Sequence, residues 1–246
     1  MIIAKAQYMS NLLVNLLDLL FPPRCCVCGK YGHDPMCDVC TSNIQFLSQP
    51  YCRICGKPKD KYFTGDLCED CSNEKPAFTL ARSVAIYEGL LKEAIHEFKF
   101  NGKKKLCDPL GKIMIDHIFR SDIPLIDIDT ITPIPLSNKR QKERGYNQSL
   151  LLVENISSKL YLKVNAGSLF KVKNIKPQHD LLRQERLTNI QGAFVANNVE
   201  GFNILLIDDI YTTGATVKEA SSVLRHAGAK NIYVLTLARA LFEVYT

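Results

Sequence analysis

Four cysteine pairs of the form C-x-x-C constrain this 246-residue chain more than any other feature of its sequence. Two intervening residues allow a tight turn that points both sulfur atoms of a pair at one tetrahedral ion, and two pairs complete a four-thiolate zinc shell. Gly29 and Gly56 follow two of the pairs, where the backbone must turn back. We therefore expect two structural Zn²⁺ sites, with these ligands: Cys25, Cys28, Cys37, Cys40, Cys52, Cys55, Cys68 and Cys71.

The order of the pairs favours sequential pairing into two zinc ribbons. Eight residues separate Cys28 from Cys37, and twelve separate Cys55 from Cys68. An interleaved pairing stays open at this stage. Disulfides are the alternative chemistry, but they need a secreted chain, and no small-residue cleavage site precedes Pro22. We therefore expect zinc and a cytoplasmic protein.

Cysteine content divides the chain into three predicted parts. Residues 1–23 form an amphipathic helix, because leucines recur at helical spacing until Pro22 ends the pattern. The apolar stretch is too short to span a bilayer, and its polar residues favour packing on the protein's own body or a partner subunit over a membrane interface. Residues 24–75 form a cysteine-rich double zinc ribbon, and residues 76–246 form an α/β domain.

The α/β prediction depends on alternating strand-like and helix-like segments after residue 76, a pattern typical of a mostly parallel sheet flanked by helices. The clearest unit comes last, where a buried apolar run at 204–207 is followed by a helix at 216–227 and a strand at 232–238. The other predicted strands are 79–87 and 129–134, and the other helices are 89–98, 106–119 and 146–160.

The junction within that last unit carries the strongest chemical signal. Asp208 and Asp209 follow the strand, and a loop of small and hydroxylated residues leads into the helix. Such a loop presents backbone N–H groups to a phosphate, and carboxylates accept hydrogen bonds from sugar hydroxyls or hold Mg²⁺. The loop residues are Thr212, Thr213, Gly214, Ala215 and Thr216.

This junction resembles the phosphoribosyl-pyrophosphate (PRPP) signature of type I phosphoribosyltransferases. The segment from Arg144 to Ser149 resembles the Arg-Gly-aromatic-Asn-Gln motif of the ComF family, and the spacing of Gln178, Arg186 and Asn189 matches a second pattern of that family. With cysteine pairs ahead of it, nearly the whole chain is similar to this family. The resemblance implies a type I phosphoribosyltransferase fold behind a zinc-ribbon module, and a part in natural transformation and single-stranded DNA handling.

The resemblance also implies site roles. Asp208 and Asp209 would hold the ribose hydroxyls of PRPP, and residues 212–216 its 5-phosphate. A loop after an earlier strand would bind pyrophosphate with Mg²⁺, and a lid containing Gln178, Arg186 and Asn189 would close over the site. The pyrophosphate loop residues are Ser137, Asn138, Lys139, Arg140 and Arg144.

Three functions stay open: an active phosphoribosyltransferase with an unidentified acceptor, a non-catalytic PRPP-sensing regulator, and a DNA-uptake factor that contacts single-stranded DNA or a helicase or processing protein. The net charge of +6 lies in residues 76–246 and favours anionic partners. Three segments are basic: 92–105, 139–144 and 163–186. Phe98, Phe100 and Tyr146 lie near these basic segments and are candidates for base stacking, although such aromatics more often belong to a core.

Overall fold

The computed structural model describes residues 18, 22–59, 63, 65–172 and 190–241. The predicted N-terminal helix, apart from Asp18, lies outside these ranges, and so do the predicted lid residues Gln178, Arg186 and Asn189. Within the described ranges, the longest and most apolar helices fall short of what a bilayer crossing requires.

The described chain begins with two short helices in the cysteine-rich part and continues as an α/β domain. The helices are α1 (Asp38–Ser42), α2 (Glu69–Asn73), α3 (Gly89–Phe100), α4 (Cys107–Arg120), α5 (Asn138–Arg144), α6 (Gln148–Leu160) and α7 (Ala215–His226). The strands are β1 (Leu80–Ile86), β2 (Thr130–Pro133), β3 (Leu169–Lys171), β4 (Phe194–Ala196), β5 (Asn203–Tyr211) and β6 (Asn231–Arg239). Short 3₁₀ turns occupy Lys104–Leu106 and Leu125–Asp127.

Four parallel strands form the main sheet in the order β1-β6-β5-β2, while β3 and β4 form a separate antiparallel hairpin. The central strands β5 and β6 are apolar on both faces, as expected for a sheet covered by helices on both sides. Segments outside the strands cover both edges, because Phe46 bridges to Ala85 of β1 and Val164 bridges to Ile131 of β2. The predicted α/β class, with a parallel sheet behind a cysteine-rich module, is confirmed.

Strands β3 and β4 were not predicted, and two further differences bear on the acidic pair and the residues near it. Residues 138–144 form helix α5 where a loop was expected, because the Ser137 hydroxyl caps the helix by accepting from the Arg140 N–H at 3.4 Å, and Gly145 ends it in the left-handed region. Strand β5 continues beyond the apolar run to Tyr211, which pairs with Arg239 of β6. The acidic pair therefore lies on the sheet itself, at its carboxyl edge.

Each cysteine group shares a hydrophobic core with one face of the sheet. Cys25 and Cys40 pack with the core that contains Leu205, while the second group packs with the core that contains Leu206. Because neighbouring residues of a strand point to opposite faces, the two ribbons lie on opposite sides of the sheet. The predicted boundary at residue 76 stays a prediction, but both cores extend across it.

Arg82 joins the cysteine-rich part to the sheet. Its side chain is 1% exposed and its guanidinium pairs with Asp122, with Nε 2.5 Å from Oδ1. The same group donates to the carbonyl oxygens of Ala81 at 2.7 Å and Arg53 at 3.0 Å, and it lies 4.6 Å from the centre of the Tyr51 ring. A buried cation with this many acceptors stabilises one relative position of the two parts.

Candidate functional site

The eight predicted zinc ligands gather into two groups in sequential order. Within each group the sulfur atoms lie within 4.8 Å of one another, and all ten cysteines are free thiols. A tetrahedral Zn²⁺ with Zn–S bonds near 2.3 Å requires sulfur atoms about 3.8 Å apart, whereas a disulfide requires about 2.05 Å. The distances fit zinc, at 3.8 Å for Cys25–Cys40, 3.7 Å for Cys28–Cys37 and 3.6 Å for Cys55–Cys68.

The two groups repeat the same local structure. In each, the N–H of the third cysteine donates to the sulfur of the first at 3.4 Å, from Cys37 to Cys25 and from Cys68 to Cys52. That third cysteine also precedes a short helix in each group. Sequential pairing is therefore what the structure contains.

The groups differ in their surroundings. Cys28 of the first group is exposed, whereas all four cysteines of the second are buried. Arg239, on β6, donates to the carbonyl oxygen of Cys55 at 2.8 Å and lies 3.7 Å from its sulfur. The second group is thus in direct contact with strand β6 of the sheet.

The remaining cysteines are structural. Burial raises the pKa of Cys107 to about 11, and its sulfur donates to the Leu151 carbonyl oxygen at 3.2 Å. Burial also raises the pKa of Cys26. Neither is a reactive thiol at neutral pH.

Asp208 and Asp209 end strand β5 with different neighbours. Asp208 Oδ1 accepts from the Ser149 hydroxyl at 3.2 Å and from the Asp209 N–H at 2.9 Å. Asp209 Oδ1 lies 2.8 Å from Lys99 Nζ, and both of these side chains are largely buried. Loss of hydration, followed by the charge of Asp209, raises the pKa of Asp208 to about 7. The site therefore favours a ligand that brings hydroxyl donors or a cation to Asp208.

Contacts among neighbouring residues fix the conformation of the loop after the acidic pair. Gly214 has φ +78° and begins helix α7, and a Cβ at this position would overlap the Tyr211 ring. The Thr213 hydroxyl accepts from the Ala215 N–H at 3.3 Å. The first turn of a helix leaves N–H groups without helical partners, which suits an anion.

Besides Lys99 of α3, cations from α5 and β3 approach the acidic pair. Burial, followed by the charge of Arg140, lowers the pKa of Lys171 to about 8, while the charge of Asp208 acts in the opposite direction. Burial also lowers the pKa of Arg144, a shift opposed by the charge of Asp209. Among the described residues, neither Arg140 nor Lys171 forms an ion pair. Positive charge is thus available to an anionic ligand beside the carboxylates.

Three residues of the predicted pyrophosphate loop have other surroundings or other roles. Asn138 is exposed, and the exposed Lys139 lies 4.0 Å from Glu143 along its own helix. Ser137 serves as the cap of α5. Of that predicted set, Arg140 and Arg144 are the residues whose charges act at the site.

Sequence reasoning missed the roles of Lys99, Ser149 and Lys171. Ser149 belongs to the segment from Arg144 to Ser149 that resembles a family motif. Other side chains of that segment make hydrogen bonds that hold neighbouring elements together. The Asn147 side chain caps α6 and donates to the Ile134 carbonyl oxygen at 3.0 Å, and Gln148 Nε2 donates to the Lys99 carbonyl oxygen at 3.4 Å. That motif was the available signal for Ser149, whereas Lys99 and Lys171 were marked only by their positions in the basic segments 92–105 and 163–186.

Comparison with known proteins gives matches to both parts of the chain. The family model described as a double zinc ribbon domain matches residues 16–72. Among solved structures, the glutamine PRPP amidotransferase of B. subtilis covers 53% of this chain and 25% of its own larger chain, at 20% identity and a TM-score of 0.36. The purine phosphoribosyltransferase of Pyrococcus horikoshii covers 57% of this chain and 89% of its own, at 13% identity and a TM-score of 0.34.

Curated relatives match over nearly the full length. Competence protein F of Haemophilus influenzae is 30% identical over 88% of this chain and 97% of its own. The DNA utilization protein YhgH of Escherichia coli K12 is 29% identical over 91% of this chain and 100% of its own. Competence protein ComFC of Bacillus subtilis is 29% identical over 84% of this chain and 85% of its own. These matches extend over the cysteine-rich part and the α/β part together.

Proposed function

The chain belongs to the ComF family, and from this premise we propose that it is a cytoplasmic, PRPP-binding protein of the phosphoribosyltransferase type that takes part in natural transformation. The observation that carries the proposal is the carboxyl edge of the sheet. Two carboxylates with different neighbours lie there beside a loop that leads into the N-terminus of α7, and Arg140 and Lys171 nearby form no ion pair within the described chain.

Each part of PRPP has a matching group in this arrangement. Asp208 and Asp209 accept hydrogen bonds from the ribose hydroxyls, and residues 212–216 receive the 5-phosphate. Arg140, Arg144 and Lys171 bind the pyrophosphate. Mg²⁺ bound with the ligand neutralises pyrophosphate charge, and carboxylate and phosphate oxygens are the ligands it prefers. The raised pKa of Asp208 supports this assignment, because burial and, after it, the charge of Asp209 disfavour the bare carboxylate, and an added cation or donor offsets both effects.

If the ligand is consumed, the chemistry is displacement of pyrophosphate from ribose C1 by a nitrogenous acceptor. The acceptor nitrogen forms a new bond to C1, the bond from C1 to the pyrophosphate oxygen breaks, and its electron pair leaves with pyrophosphate. The proton of the acceptor N–H passes to solvent. Arg140, Arg144 and Lys171 stabilise the charge that develops on that leaving group. A protein that binds PRPP without this step acts as a sensor, and a pyrophosphate-release assay separates the two.

The relatives' names support a part in DNA handling. Competence protein F and the DNA utilization protein are similar to this chain over nearly its full length. Lys103, Lys104 and Lys105 lie exposed after α3 and supply a basic surface for single-stranded DNA. Binding through such lysines weakens steeply as salt concentration rises. A helicase or processing protein is the expected protein partner.

Calorimetric titration of Mg·PRPP into the zinc-loaded protein tests the ligand proposal. The wild type binds, and the double variant Asp208→Ala/Asp209→Ala does not, while circular dichroism shows that the variant is folded. Asp116→Ala, an exposed acidic position on α4, is the matched control and binds as the wild type does. Equal binding by the double variant, or no binding by the wild type, contradicts the proposal.

A further inference from the structure

Of the three aromatic residues near the basic segments, the structure buries two and exposes one. Phe98 is 0% exposed and Tyr146 is 8% exposed, and their rings pack together with centres 6.0 Å apart. Phe100 is 57% exposed at the end of α3. A large aromatic side chain in this position is free to meet a ligand.

Phe100 directly follows a residue that contacts the acidic pair. The preceding residue, Lys99, places its Nζ 2.8 Å from Asp209 Oδ1. The Arg144 guanidinium lies 4.7 Å from the centre of the Phe100 ring, and the His96 ring lies 5.0 Å from it at an angle of 44°. The Arg144 guanidinium is therefore stacked over the Phe100 ring, and it lies close enough to the carboxylates for the charge of Asp209 to act on it.

Neighbouring hydrogen bonds hold this surface in place. Arg144 Nη1 donates to Gln148 Oε1 at 3.1 Å, and Gln148 Nε2 donates in turn to the Lys99 carbonyl oxygen at 3.4 Å. Arg144 and the end of α3 are thus fixed relative to each other by one side chain. An arginine held in this way keeps remaining N–H donors for phosphate and a guanidinium face for stacking.

We propose that Phe100 and Arg144 form a stacking subsite for a nucleobase beside the ribose-binding carboxylates. Nucleobases are planar and stack on aromatic rings and on guanidinium groups. The inference rests on the proposed function, because PRPP would place its ribose at Asp208 and Asp209. An acceptor base would then have to lie next to that ribose. The inference deepens that function by naming the class of compound that PRPP meets at this site.

The chain contains no tryptophan, which makes a direct test available. Phe100→Trp introduces a single indole into the proposed subsite. Phe119→Trp introduces one at a position on α4 that is 66% exposed and serves as the matched control. Each variant is titrated by fluorescence with adenine and with a short oligothymidylate, in the absence and presence of Mg·PRPP.

We expect saturable quenching of the indole at position 100 and only weak, unsaturated quenching at position 119. Calorimetry adds Phe100→Ala and Phe100→Leu, both checked by circular dichroism, and we expect each to bind the base about tenfold more weakly than the wild type. Quenching by free adenine identifies a small-molecule base as the ligand, and quenching by oligothymidylate alone identifies a base of single-stranded DNA.

Three results overturn the inference: equal responses at positions 100 and 119, unchanged base affinity in both Phe100 variants, or absence of base binding to the wild type. Base binding is also measured without PRPP, so its absence is distinguished from failure of the proposed function. That failure is tested separately, by calorimetry of Mg·PRPP alone.

Discussion

The guanidinium of Arg239 lies 4.0 Å from the centre of the Tyr211 ring. The same guanidinium donates to the Cys55 carbonyl oxygen at 2.8 Å, and the Tyr211 ring is the neighbour that leaves no space for a Cβ at Gly214. A continuous set of contacts therefore runs from the second cysteine group to the loop proposed to bind the 5-phosphate.

Arg239→Lys keeps the charge but removes the planar group that stacks on Tyr211. We expect zinc of the second group to be lost faster to a chelator and Mg·PRPP to bind several-fold more weakly, because Cys55 and Tyr211 each lose a contact. Zinc release is followed with a colorimetric chelator. Arg24→Ala is the control, since Arg24 also stacks on a tyrosine, Tyr31, at 4.3 Å, but on the surface. Identical release by wild type and Arg239→Lys contradicts the prediction.

Gly214→Ala is expected to abolish Mg·PRPP binding while the protein stays folded. The added Cβ is strained at φ +78° and overlaps Tyr211, so the loop must shift. Gly201→Ala carries similar strain at φ +72° with nothing within 4 Å of its Cβ, and it is the matched control. Calorimetry measures binding, and thermal unfolding measures stability. Normal binding by Gly214→Ala shows that the loop does not hold the phosphate.

The two cysteine groups are expected to differ in their contribution to stability. Cys55→Ser removes a buried ligand from a group packed into the sheet, whereas Cys28→Ser removes an exposed one. We expect Cys55→Ser to be the more destabilising by about 2 kcal/mol or more, roughly 5 °C in a chain of this size. Differential scanning calorimetry with zinc analysis measures this difference. Equal melting temperatures refute it.

Mg·PRPP affinity is expected to rise about tenfold between pH 6 and pH 8. The pKa of Asp208 is about 7, so this carboxyl is mostly protonated at pH 6 and gains the charged form that binds the ligand as pH rises. Calorimetry at several pH values, with excess Mg²⁺, measures the change. A flat profile contradicts it.

The variant Asp208→Asn tests how ionisation of Asp208 affects the stability of the folded protein. The pKa of Asp208 is raised from 3.8 to about 7 on folding, so the folded state holds its proton more tightly and stability falls as pH rises through this window. We therefore expect Asp208→Asn to melt at a higher temperature than the wild type at pH 8, and the difference to disappear near pH 4.

Local patterns in the sequence were sufficient to locate both cysteine groups, the acidic pair and the loop that follows it. The cysteine spacing predicted the eight ligands, because each C-x-x-C turn defines its own geometry, and it favoured sequential pairing; the structure then resolved the interleaved alternative. The apolar run at 204–207 located the central strand for a similar reason: full burial demands continuous apolar residues. Helix α5 was missed because its stability depends on one serine cap and one glycine end rather than on an apolar face.

Contacts between distant residues were beyond sequence reasoning. Lys99 reaches Asp209 from another helix, and no pattern at either residue encodes the other. Strands β3 and β4 have three residues each, too few to show alternation. Phe98 and Phe100 are two residues apart on the same helix, and only packing determines that the first enters the core and the second faces outward.

The position of β6 has a consequence for how the protein is made. Cys55 and Arg239 are 184 residues apart, and β6 lies between β1 and β5 at the centre of the sheet. The ribosome therefore releases the second ribbon long before the strand that packs against it. Until then its thiols lack the cover that β6 gives them, so this group acquires its full native surroundings only when β6 has joined the sheet.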